Sequence, residues 1–248
     1  MEKKKHNKKK IIIISSSIGG FLLVLILAFF IYVTPYNHAT ESALSYMNDS
    51  SNSEVVNTND YTIFKPKEGN KNVGFIFYPG GKVGNEAYAP MLRNLSDSGV
   101  TSILVKMPFH LAIFNGNGAN NKQSLASNVT SWYIGGHSLG GVMAASYLSK
   151  HSDSYKGLIL LASYSNVDLS SYTNLKTLSF TASNDKVLNY DNYSKYESYL
   201  PNYKRVNIEG GIHSYFGDYG IQSGDGTPSI TVEEQRNIVC SEIINFIM

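Results

Sequence analysis

The stretch Trp132-Tyr-Ile-Gly-Gly-His-Ser-Leu-Gly-Gly141 decides how this chain is read. Trp132 to Ile134 is a short apolar run of the kind a sheet buries. Gly135 to Gly141 is a turn, and Val142-Met-Ala-Ala-Ser-Tyr-Leu-Ser149 reads as a helix. Inside the turn, Gly136-His137-Ser138-Leu139-Gly140 fits the pattern G-x-S-x-G. A serine at the tip of a strand-to-helix turn sits in a strained backbone with its hydroxyl clear of the sheet. Glycines flank it because side chains there collide with the neighbouring strand and helix. The five residues alone are a weak signal, and the strand before and helix after make it specific. The competing reading is an ordinary βα turn whose serine only caps the helix.

Outward from this turn, apolar runs alternate with helical patterns. Tyr61–Lys65, Val73–Tyr78, Val100–Val105, Gly157–Ala162, Leu175–Thr181 and Tyr203–Ile208 read as strands. Glu86–Ser98, Asp191–Leu200 and Thr231–Met248 read as helices, the last with Thr231 as N-cap and Glu233-Glu234 in its first turn. This alternation implies a mostly parallel sheet with helices on both faces. Ligands of such sheets bind outside the carboxyl ends of the strands. Four loops then converge: Gly80–Val83, the Ser138 turn, Asn184-Asp185 and the loop carrying His213.

A serine hydroxyl is a poor nucleophile near neutral pH. It needs a base, and a third group must hold that base in the correct tautomer. Ser138, Asp185 and His213 occur in the chain order serine, acid, histidine expected of a strand-to-helix elbow. Asp185 and His213 each follow a strand, at the same sheet edge as Ser138. Among the other histidines, His6 and His38 precede the domain. His137 lies within the turn and His151 at the far end of its helix. His110 stands at the right edge but before the serine. Asp168 is the rival acid, and the bland reading of Asp185 is an Asx turn. The oxyanion of a tetrahedral intermediate needs two donors: the N–H of Leu139, and one from the loop after Val73–Tyr78, where Gly81 is the choice. Lys82, Phe109 and His110 are candidate pocket residues, ordinary packing being the alternative.

Tyr78-Pro-Gly-Gly-Lys-Val83, Gly135-Gly-His-Ser-Leu-Gly-Gly141, Ser183-Asn-Asp185 and Gly210-Gly-Ile-His213 together resemble the α/β-hydrolase superfamily, near its small bacterial esterase and dienelactone-hydrolase-like members. The resemblance covers about Tyr61 to Met248. It implies an α/β-hydrolase fold with little or no cap and hydrolysis of an ester or related acyl bond through an acyl-enzyme. Tyr78-Pro79 stands where many members carry a histidine before the glycine. The resemblance implies no cofactor and no metal. Asp218 and Asp225 in the Gly217–Gly226 loop lack calcium-loop spacing and read as a pocket rim.

The chain has 248 residues and a formal charge of +2. Six of its 21 Lys+Arg lie in Met1–Lys10; without that segment 15 face 18 Asp+Glu, Glu2 being removed from 19. No basic stripe suggests nucleic acid. Ile11–Val33 carries no charge and is long enough to cross a bilayer, for which about 20 residues suffice. No small-x-small cleavage site follows, so an uncleaved signal anchor is favoured over a cleaved signal. The lysines place the N-terminus in the cytoplasm and the rest outside the membrane. The expected organisation is a basic tail 1–10, an anchor 11–33, a polar linker 34–59 and a hydrolase domain 60–248. Cys240, the single cysteine, falls in an apolar helix pattern and reads as core. A silent surface-binding domain of the same fold, or a peptidase or transacylase acting on cell-envelope material, are the alternative functions.

Overall fold

Strand β3, Val73–Tyr78, is buried at every position, as are β4, Val100–Val105, and β6, Gly157–Leu161. Successive side chains of a strand point to opposite faces. In β3, Phe75 and Phe77 therefore enter one apolar layer, while Ile76 and Tyr78 enter the other. In β6, Ile159 and Leu161 join the first layer, and Leu158 and Leu160 the second. A strand apolar on both faces has to be covered on both, which is why helices lie on each side.

The computed structural model of the protein describes residues 19–248. The chain divides into two units, Met1–Tyr36 and Asn37–Met248. In the first, residues 19–33 form helix α1. Among the described residues, no helix is long and apolar enough to cross a membrane. The expected basic tail and residues 11–18 of the expected anchor lie outside the described residues.

The second unit holds an eight-stranded sheet in the order β1-β2-β4-β3-β5-β6-β7-β8. Strand β1 is Ser53–Asn57, β2 Tyr61–Pro66, β5 Ser131–His137, β7 Lys176–Ala182 and β8 Tyr203–Ile208. The pairs β1–β2 and β2–β4 are antiparallel and all others parallel. Helices α3, Ala89–Asp97, and α6, Val232–Ile247, pack on one face. Helix α4, Leu139–Leu148, covers the other against β3, β5 and β6, and the short helix α5, Tyr190–Lys195, lies between β7 and β8 in the chain. Thr231 caps α6 through the Glu234 N–H, and Glu234 returns the bond to the Thr231 N–H, so two orphan donors are satisfied together. Cys240 is a buried thiol on this helix.

The domain begins earlier than the polar composition of residues 34–59 suggests. Helix α2, Glu41–Ser45, starts where Thr40 accepts the Ala43 N–H, and β1 pairs with β2 from Ser53↔Pro66 to Asn57↔Thr62. Strand β1 is an edge strand with one buried residue, Ser53. An edge strand needs no apolar face of its own, so hydropathy does not reveal it.

Candidate active site

Strand β5 ends at His137, and Ser138 turns the chain into α4 with φ 51° and ψ −124°. Such a conformation in a non-glycine residue costs about 1–3 kcal/mol and persists only where its surroundings over-determine it. They do so here. The Ser138 N–H donates to Leu161 O at 3.0 Å, and Ser138 O accepts from Gly141 N at 3.0 Å and from Ser163 Oγ at 2.7 Å. The flanking glycines are sterically required. A Cβ on Gly136 would stand 2.6 Å from Tyr78 O, and one on Gly140 2.2 Å from the same atom. Removing both side chains lets α4 descend onto the end of β3.

That descent also joins the two loops expected to supply oxyanion donors. A Cβ on Gly81 would meet Leu139 Cδ2 at 3.1 Å and its Cβ at 3.5 Å, so the Leu139 side chain packs on Gly81. In the loop, Gly80 N–H donates to Tyr88 Oη at 2.9 Å and Lys82 N–H to His110 O at 2.7 Å. Gly81 lies between two anchored amides. As the first residue of α4, Leu139 has an N–H with no intrahelical acceptor.

Asp185 follows β7 and is 6% exposed; His213 opens the turn His213–Phe216 and is 2% exposed. Asp185 Oδ2 lies 2.8 Å from His213 Nδ1. Its other oxygen, Oδ1, accepts the N–H groups of Val187 and Leu188, each at 2.8 Å. The turn reading and the partner reading of Asp185 thus hold together: one oxygen fixes the loop, which aims the other at the imidazole. Asp168, the rival acid, is exposed and accepts the Ser170 N–H at 2.9 Å.

Ser138, Leu139 and His213 line one pocket of about 250 Å³, together with Val142, Tyr164, Val187, Leu188 and Asn189. Lys82, Phe109 and His110 are not among its lining residues. They stand beside the Gly80–Gly81 loop instead, with Lys82, Phe109 and His110 all at positive φ. Burial lowers the His110 pKa, and the Glu86 carboxylate opposes that shift. A hydroxyl, an imidazole and a carboxylate in this order can pass a proton from the first to the second, while the third stabilises the charge formed.

Asp225 is the contributor whose role was least evident from sequence. Its carboxylate accepts from His213 N at 3.3 Å, Ser214 N at 2.7 Å, Ser214 Oγ at 2.7 Å and Gly226 N at 2.8 Å. Burial raises its pKa, but these donors outweigh that and hold it below the usual carboxylate value. It clamps the His213 turn rather than forming the pocket rim. Asp218 is used elsewhere, accepting from Thr40 Oγ1 at 2.7 Å and facing Arg236 Nη1 at 3.4 Å. Among the described residues no group of three His, Cys, Asp or Glu side chains is placed to hold a metal ion.

A family model described as "Alpha/beta hydrolase family" matches residues 74–237, which include every residue of this site. The chain belongs to the alpha/beta hydrolase family. No curated protein matches it. Among solved structures it is similar to Est1E from Butyrivibrio proteoclasticus with ferulic acid bound, at 15% identity and a TM-score of 0.58, over 79% of this chain and 97% of that one. It is similar to carboxyl esterase 2 from Tuber melanosporum at 13% identity and a TM-score of 0.59, over 86% and 92%. A predicted CIB-like hydrolase from Thermoplasma acidophilum matches at 19% identity and a TM-score of 0.53, over 78% and 97%. At these identities the likeness is one of fold. Within this alpha/beta hydrolase, β1 and β2 supply the antiparallel end of the sheet, and the loops after β3, β5, β7 and β8 carry Gly81, Ser138, Asp185 and His213.

Proposed function

We propose that this protein is a serine hydrolase that cleaves a small ester or related acyl bond through an acyl-enzyme. The observation that carries the reading is the 2.8 Å bond from His213 to Asp185, buried beside a pocket that Ser138 also lines. Ser138 Oγ attacks the substrate carbonyl. His213 Nε2 takes the hydroxyl proton, and Asp185 holds the proton on Nδ1, keeps the ring oriented and stabilises the imidazolium. The N–H groups of Leu139 and Gly81 bind the oxyanion; one such donor is worth about 10²–10³ in kcat. His213 then returns the proton to the leaving group, and water repeats the sequence on the acyl-enzyme. The mixed lining of the pocket, in which Val142, Val187 and Leu188 join the serine, suits a compact acyl group. The esterases among the structurally similar proteins agree with this chemistry.

The uncharged run Ile11–Val33 behind six lysines supports a single-pass anchor, with a cytoplasmic N-terminus and the hydrolase outside the membrane. Carbonate-resistant membrane association that disappears on deleting residues 1–33 is the expected result; unchanged association without them overturns the anchor. For the chemistry, Ser138→Ala is compared with wild type on short p-nitrophenyl esters and for labelling by a fluorophosphonate. Both signals should vanish. Undiminished hydrolysis by Ser138→Ala sinks the reading, and a wild-type protein that neither hydrolyses nor labels is a silent binding domain.

A further inference from the structure

Two fully buried polar side chains lie between the Gly80–Gly81 loop and His213, and the mechanism above leaves both unused. Tyr88 is 0% exposed and His137 1%. The Gly80 N–H donates to Tyr88 Oη at 2.9 Å, and Tyr88 Oη lies 2.8 Å from His137 Nδ1. The His137 ring is stacked obliquely on the His213 ring, with centroids 4.5 Å apart. Phe216 closes the other side of His137, at 5.8 Å. A Cβ on Gly80 would stand 2.7 Å from both His137 Nδ1 and Tyr88 Oη, so these groups press directly on the loop backbone.

The protons of this chain follow from its partners. Tyr88 Oη already accepts from Gly80, and its own proton has His137 Nδ1 as acceptor. Nδ1 then carries a lone pair, and the His137 proton sits on Nε2. Nε2 is buried with no hydrogen-bond partner, and the His213 main chain favours a proton on the ring. The opposite tautomer strands the buried phenol proton, which is unfavourable. Burial holds the His137 pKa well below the ordinary histidine value, with the His213 ring adding to the effect. Burial likewise raises the Tyr88 phenol pKa. Both groups are neutral when a proton arrives on His213.

We propose that Tyr88 and His137 are positioning residues that brace the oxyanion loop against the base, so that Gly81 N–H and His213 move as one unit. This rests on the serine-hydrolase reading above. A neutral imidazole is suited to the place. It packs at a tilt of 48° against His213 without repelling the imidazolium formed in each half-reaction, whereas a cation 4.5 Å away would oppose it. Packing alone would be met by a phenylalanine at either position. The hydrogen-bonded pair adds a fixed distance between loop and base.

The test is steady-state hydrolysis of a short p-nitrophenyl ester by the full chain. Tyr88→Phe, His137→Phe, the double variant and His137→Asn are compared with wild type, with Ser138→Ala in parallel. Asn places an amide oxygen close to where Nδ1 stands and so keeps the acceptor. Each phenylalanine variant should lower kcat about tenfold, or 1.4 kcal/mol, with KM within about twofold. The double variant should lose no more than the worse single one, because the pair acts as a unit. His137→Asn should recover most of the loss. Unchanged kcat in Tyr88→Phe, a loss confined to KM, or losses that multiply in the double variant with no recovery by Asn overturns the brace. Should His137→Phe fail to fold, Tyr88→Phe, which deletes one oxygen only, decides the matter alone. Hydrolysis that survives Ser138→Ala removes the serine reading itself; hydrolysis lost in Ser138→Ala but intact in Tyr88→Phe removes only the brace.

Discussion

Gly140→Ala is a one-methyl perturbation with a calculable effect. The new Cβ would stand 2.2 Å from Tyr78 O and 2.3 Å from Pro79 O, where ordinary contact begins near 3.4 Å. Helix α4 and the end of β3 must therefore separate by roughly 1 Å. Both partners are backbone, so no side chain can swing aside. Two effects compete. Alanine in place of a helical glycine gains up to about 1 kcal/mol in propensity. Overpacking a close contact costs about 1–3 kcal/mol, and a backbone-to-backbone clash belongs at the upper end. The net loss is about 2 kcal/mol, or roughly 4–8 °C in Tm for a domain of this size. Activity should suffer more, because Pro79 leads into Gly80–Gly81 and Gly140 follows Leu139. The same 1 Å splits the two N–H groups proposed to converge on one oxygen, and a misplacement of that size can cost about 10²-fold. Thermal unfolding and kcat/KM on a short p-nitrophenyl ester are measured together. Gly84→Ala is the control, since its Cβ would meet nothing nearer than 3.5 Å. A Gly140→Ala protein with wild-type kcat/KM refutes the reasoning.

Asp185→Asn keeps an oxygen for the Val187 and Leu188 amides but disturbs the His213 tautomer, so kcat should fall about 10³–10⁴-fold with Tm little changed; a loss of Tm in proportion to kcat would mean the carboxylate is structural. Asp225→Ala strands the N–H groups of His213, Ser214 and Gly226. It should lower stability by about 1–3 kcal/mol and lower kcat as the His213 turn loosens; urea midpoints and initial rates both unchanged would refute the clamp. Stability should also depend on pH through His137, whose folded-state pKa is depressed by burial and by His213. Its contribution is complete above about pH 6.5 and declines as pH falls below it, by up to about 1.4 kcal/mol per unit, because only the unfolded chain takes up the proton. Urea midpoints at pH 5, 6 and 7 should therefore fall more steeply for wild type than for His137→Asn; parallel slopes would show that His137 titrates normally.

Much of the candidate site's placement was legible because it is built from strand ends. Ser138, Asp185 and His213 each follow an apolar run, and parallel strands bring their carboxyl ends to one edge whatever the details of packing. Gly81 beside Leu139 was legible for the same reason, since β3 and β5 are neighbours. What the sequence hid depends on partners remote in the chain. Tyr88 and His137 are 49 residues apart, and neither position carries a pattern that names the other. Asp225 reads as one acid in a Gly/Asp-rich loop until the His213 amides are seen converging on it. The pocket wall Val187–Asn189 lies in a stretch whose periodicity is too short to place, and Lys82, Phe109 and His110 were favoured on proximity to a strand end alone. Strand β1 and helix α2 were obscured by Ser- and Asn-rich composition, because their stability comes from pairing with β2 and from the Thr40 cap.

The φ of 51° at Ser138 has an evolutionary consequence. Glycine occupies that conformation freely, so for folding alone Ser138→Gly is an improvement of about 1 kcal/mol or more. A lineage retaining this domain only as a scaffold gains by drifting to glycine at position 138. On the serine-hydrolase reading, a serine held there against the preference of its own backbone is expected to persist only while the hydroxyl is used.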